Sequence, residues 1–162
     1  MAGEVVGVEV MELPGTNQDH PVIDRMILGN VETMTLDLPT NHFDVVLCGD
    51  VLEHLVDPWA VVDQVATYLK PGGVWITSLP NIKSYWVLYQ LLLKSDFAYA
   101  EQGILDKTHL RLFCKKNSVH LFTADKLRVV HLLSDMHQSQ KFGPRHWADM
   151  LTGGASMQVL MA

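Results

Sequence analysis

The sequence predicts an α/β fold organised around a parallel βαβ crossover, and three observations within one stretch, Phe43 to Asn81, predict it. The apolar run FDVVLC reads as a strand over Phe43–Cys48. Pro58 can open a helix with Asp57 as its N-cap, and Pro71-Gly72-Gly73 can close it, which gives a helix over Pro58–Lys70 with Gly72 as its stop. GVWITSL then supplies a second strand over Val74–Leu79. Two strands joined by a helix run parallel, so the acidic turn from Asp50 to Asp57 falls at the carboxyl edge of the sheet, where such folds bind ligands.

The remaining elements follow in chain order. EVVGVEV, Glu4 to Val10, is valine-rich and too short for a helix, so it reads as a strand. MELPGTNQDHP is a loop, RMIL over Arg25–Leu28 a short strand, and GNVETM a polar turn. In the helix after Pro58, Trp59, Val62, Val65, Ala66 and Leu69 form one apolar stripe to lay on a sheet. Ser84 to Lys94 has helical length but is apolar on nearly all sides, so it needs cover on more than one face. KKNSVHLFTADK can be a helix, LRVVHLL a strand, and MQVLM one last strand; Ser134 to Gly154 shows no clear pattern.

The chain of 162 residues is long enough for one domain with a real core, and residues 1–162 read as a single domain. Net charge is −6 with no basic block, which removes the electrostatic case for nucleic acid. Cys48 and Cys114 fit free thiols of a reducing compartment. The longest apolar stretch, YWVLYQLLL, is shorter than the roughly 20 residues a membrane span needs. MAGEVVGVEV lacks a basic region and a long apolar core, so a cytoplasmic protein is expected.

VVGVEV, then FDVVLCGDVLEHLVDPWAVVDQVATYLKPGGVWITSLPN, then GILDKTHLRLF occur in that order between Glu4 and Leu133. In order and spacing they resemble the class I S-adenosylmethionine-dependent methyltransferases, above all the small-molecule branch associated with polysaccharide and quinone modification. The resemblance implies a Rossmann-like, mostly parallel sheet with an antiparallel carboxyl-terminal strand. It also implies S-adenosylmethionine as cofactor and methyl transfer to a small hydroxylated acceptor. The family's first strand and its glycine-rich turn have no counterpart here: neither Gly72-Gly73 nor Gly153-Gly154 follows a strand and opens a helix. The sequence is therefore expected to be a methyltransferase domain truncated at its N-terminus. Without that central strand, apolar sheet edges are left exposed, and covering them implies a homo-oligomer, a dimer in the simplest case. Two functions stand open, an active methyltransferase and a non-catalytic relative serving as an oligomeric structural or interaction module.

The resemblance also nominates residues. Glu9, at a strand tip, matches the family's acidic residue that accepts hydrogen bonds from the ribose hydroxyls; a solvent-facing carboxylate is the alternative. Asn30 and Val31 fall beside the adenine, where Asn30 can pair through its side-chain carbonyl or simply form a turn. Asp50 and Val51 follow the strand that faces the polar end of the donor. His54 is a candidate base, and Asp50 with Glu53 or His54 can share a face if the turn coils. That set permits a metal site, as in some quinone-modifying relatives, or only caps the turn; no metal is assigned from it. His109, in DKTHLRLF, lies over the methyl-transfer site in the resemblance and is the better candidate base, with a role in ordering its loop as the alternative. Arg111 can pair with Asp106 or an acidic substrate group, and Tyr85, Trp86 and Tyr89 line an acceptor pocket or pack.

Overall fold

The computed structural model describes residues 3–13, 15–122, 127–135 and 156–161. The chain divides into two units, residues 1–38 and 39–162. In the first, β1 (Val6–Glu9) and β2 (Arg25–Leu28) pair in parallel, with Val6 opposite Arg25 and Glu9 opposite Leu28. The Asp24 carboxylate accepts from the Val5 amide at 2.8 Å and fixes where that pairing begins. The loop between the strands holds one 3-10 turn, Asn17–Asp19.

The second unit contains β3 (Phe43–Gly49), α1 (Pro58–Ala66), β4 (Leu69–Pro80), α2 (Tyr85–Leu93), α3 (Lys115–Phe122), β5 (Val129–Asp135) and β6 (Ser156–Met161). Its sheet has the order β3-β4-β6-β5. β3 and β4 are parallel, as the crossover requires, and β6 runs antiparallel to both β4 and β5. The last strand is thus antiparallel, as expected.

Two sequence expectations are corrected. Asp57 does cap α1, accepting from the Ala60 amide at 3.1 Å, but the helix ends at Ala66 with Thr67 as its C-cap, and Gly72 does not stop it. β4 already begins at Leu69. Leu69 pairs with Phe43 and Val74 with Val45, so Lys70 to Gly73 bulge opposite the single residue Asp44. The Lys70 ammonium closes this bulge on the Asp44 carboxylate at 2.9 Å. Gly72 takes φ +81° there, and a Cβ on Gly73 would meet Lys70 O at 3.0 Å and Asp44 O at 3.2 Å. Trp59, expected on the inner stripe of α1, is also 48% exposed; Pro58, Val61 and Val62 are the buried side chains.

The core is formed by Trp75 and Leu79 of β4, Leu121 and Phe122 of α3, Phe113, and Leu52. Trp75 meets Phe122 edge to face with centroids 5.7 Å apart. Ser84 caps α2, but Val87 is its one buried residue, and Trp86, Tyr89 and Leu91 to Leu93 are exposed. β3 is outermost in its sheet, and Val45 and Leu47 on it are 54% and 77% exposed. Both cysteines are free thiols, and burial pushes Cys48 up to about 12. No helix among the described residues is long and apolar enough to cross a membrane.

Candidate functional site

At the carboxyl end of β3 the chain turns sharply. Asp50 adopts φ 50°, a left-handed conformation that short polar residues tolerate best, and its amide donates to Ser78 O at 3.3 Å and Ser78 Oγ at 3.1 Å. Val51 leads into a single 3-10 turn, Leu52–His54. Within that turn Leu52 and Glu53 are buried, 0% and 1% exposed, whereas His54 reaches solvent.

The segment before α3 is fastened onto this turn. The Leu110 and Arg111 amides donate to Glu53 O at 2.8 and 2.9 Å. Arg111 donates through Nε to Val56 O at 3.0 Å, donates through Nη2 to the same oxygen, and stacks on the Trp59 ring at 5.7 Å. Its guanidinium is thus spent within the fold instead of on Asp106. The docking brings His109 against His54, with ring centroids 4.7 Å apart and the planes at 69°.

The two imidazoles have different surroundings. His109 is 8% exposed, its Nδ1 donates to Ile104 O at 3.1 Å, and its Nε2 lies 4.0 Å from Glu53 Oε1. Glu53 Oε2 has no hydrogen-bond partner among the described residues. Burial, reinforced by the charge of Asp50, pushes the Glu53 carboxyl up to about 7. His54 Nδ1 lies 3.2 Å from Thr108 O and 3.1 Å from Thr108 Oγ1. The Thr108 hydroxyl and amide both donate to Asp106 Oδ1, at 2.6 and 2.8 Å, and these bonds hold the Asp106 carboxyl below its usual range.

Of the residues predicted from sequence, His54, His109, Asp50 and Val51 thus belong to one turn and the segment docked on it. Glu53 is buried, whereas Asp50 and His54 are exposed. The donor set that does converge is Glu53, His54 and His109, one ligand atom from each within 4.8 Å of the others, a spacing a divalent cation can bridge. In the first unit, Glu9 ends β1, and its Oε1 accepts from the Val10 amide at 2.9 Å. Asn30 Oδ1 accepts from the Glu32 amide at 2.8 Å, so its side-chain carbonyl already serves the turn; Val31 is half-buried. Trp86 and Tyr89 stack on each other at 5.7 Å beneath Lys94. Thr108 and Asp106 escaped the sequence analysis as site residues, although Asp-x-Thr is a spacing that closes a side-chain turn on its own backbone.

Comparison with known proteins places this architecture. A family described as "Methyltransferase domain" matches residues 3–77. The ubiquinone biosynthesis O-methyltransferase of Haemophilus ducreyi is 32% identical over 98 residues, 54% of this chain and 42% of that protein, so the matched segment spans less than half of it. The S-adenosylmethionine-dependent methyltransferase of Mesorhizobium loti superposes with a TM-score of 0.67 over 99% of this chain and 80% of that one, at 16% identity. The [4+2]-cyclase SpnF superposes at 0.61 over 98% and 66%, at 13% identity, so this fold alone does not fix a reaction. The α/β architecture is thus the Rossmann-like fold of the class I S-adenosylmethionine-dependent methyltransferases, and residues 3–77 are similar to a methyltransferase domain.

Proposed function

We propose that the chain transfers the methyl group of S-adenosylmethionine to a small hydroxylated acceptor of quinone or saccharide type, acting as a cytoplasmic homodimer. The observation that carries this reading is a solvent-reaching imidazole, His54, backed by His109 at the carboxyl end of β3. The name of the Haemophilus ducreyi relative supports the quinone-type acceptor.

Each unit offers residues of its own to the cofactor: in the first, Glu9 would accept from the ribose hydroxyls and Asn30 and Val31 would flank the adenine; in the second, Asp50 and Val51 would meet the donor's polar end. When bound, S-adenosylmethionine supplies a methyl already activated on a sulfonium, which leaves positioning and proton removal to the protein. His54 would then accept the acceptor's hydroxyl proton on Nε2. His109, nearly buried, holds the His54 ring from behind.

Calorimetry with S-adenosylmethionine and its demethylated product, followed by turnover of a catechol acceptor, tests this. Binding is expected, and His54→Ala is expected to lower turnover by about 10²–10⁴ while keeping donor affinity. No heat and no thermal shift at millimolar ligand would instead favour a non-catalytic interaction module, the reading that the exposed Val45, Leu47 and Leu91 to Leu93 support.

A further inference from the structure

We infer that Thr108 and Asp106 are positioning residues that fix the tautomer of His54, leaving its Nε2 as the outward lone pair. The inference rests on the proposed role of His54, but its argument is one of hydrogen-bond directions. Thr108 O is a carbonyl and can only accept, so a group 3.2 Å away must donate to it, and that group is His54 Nδ1. Thr108 Oγ1 owns a single hydrogen. At 2.6 Å from Asp106 Oδ1 that hydrogen is committed to the carboxylate, so the hydroxyl turns a lone pair toward Nδ1 at 3.1 Å. Both contacts therefore call for a hydrogen on Nδ1. A neutral imidazole has only one, and Nε2 is left bare.

Asp106 makes the arrangement rigid. Its Oδ1 also accepts from the Thr108 amide at 2.8 Å, which closes a side-chain turn and fixes the Thr108 hydroxyl in place. Its carboxyl, held below the usual range by those same bonds, stays ionised and cannot return a proton to the hydroxyl. If Asp106 is removed, the hydroxyl is released to donate to Nδ1, and the opposite tautomer becomes available. The same logic holds beside it: His109 Nδ1 faces Ile104 O at 3.1 Å, so both rings carry their hydrogen on the same atom.

The test is nitrogen NMR of imidazole-labelled protein at about pH 8, above the ordinary range of histidine. Wild-type His54 is expected to show a protonated Nδ1 and a bare Nε2. Asp106→Ala and Thr108→Val are expected to move the population several-fold toward the Nε2–H form, and Thr108→Ser to restore it. A wild-type ring protonated on Nε2 would overturn the inference, as would an unchanged tautomer in Asp106→Ala. Should Thr108→Val fail to fold, the Asp106→Ala and Thr108→Ser pair decides alone. The NMR result does not depend on turnover, so failure to bind S-adenosylmethionine would reject the proposed function and leave this assignment standing.

Discussion

His54 and His109 meet edge to face, 4.7 Å between centroids, because the Leu110 and Arg111 amides both donate to the one carbonyl of Glu53. That carbonyl belongs to the residue whose side chain is buried beneath the pair. Backbone and side chain of Glu53 thus act on the same site from two directions, and the consequences are measurable.

Glu53 makes stability fall as pH rises. Its folded-state carboxyl is pushed from 4.5 to about 7 by burial, so the folded chain binds the proton more tightly than the unfolded one. The stability this gives is complete below about pH 4.5 and is lost between there and about pH 7, roughly 3 kcal/mol from this group. Urea denaturation across that range should show the decline in wild type, and Glu53→Gln should flatten it. Parallel profiles would remove the buried carboxyl as the cause.

Arg111→Lys is expected to be costly despite keeping the charge. An ammonium cannot direct two N–H groups at Val56 O while lying flat on Trp59. The loss should be about 1 to 2 kcal/mol in thermal or chemical unfolding. A variant as stable as wild type would mean that the two amide bonds to Glu53 suffice to dock the segment.

If S-adenosylmethionine binds, Glu9→Ala should weaken it by about 1 to 3 kcal/mol, the scale of a lost hydrogen bond from a charged acceptor. The carboxylate already accepts the Val10 amide on Oε1, and its remaining lone pairs can serve further donors. Unchanged affinity in calorimetry would take Glu9 out of the binding residues.

The exposed Val45 and Leu47 on the outermost strand lead us to expect a dimeric mass in light scattering at micromolar concentration. Leu47→Lys should shift it toward the monomer. A monomeric wild type at every dilution would exclude the dimer.

What the sequence disclosed follows the range of the interactions involved. β2 over Arg25–Leu28, the Asp57 cap and the parallel crossover rest on neighbours along the chain, and all three are present. Pro71-Gly72-Gly73 misled because the same residues serve a helix stop or a strand bulge. The choice was made by Asp44, a residue on another strand that pairs with Lys70. In the same way, no local pattern says whether Glu53 turns inward. That depends on the single 3-10 turn and on the distant amides that anchor it. The pairing of the two histidines is equally non-local, although each was visible singly.

The bulge in β4 also determines which exchanges the chain can survive. Gly72 and Gly73 are adjacent and chemically identical, yet they are constrained for unrelated reasons. Gly72 has open space around it and a positive φ, so Asn should be accepted there. Gly73 has ordinary φ but little room, and a Cβ there needs Lys70 O, Leu69 Cδ2 and Asp44 O to give by a few tenths of an ångström. In a saturation library the first position should admit a narrow set of residues chosen by backbone conformation, and the second should favour the smallest side chains.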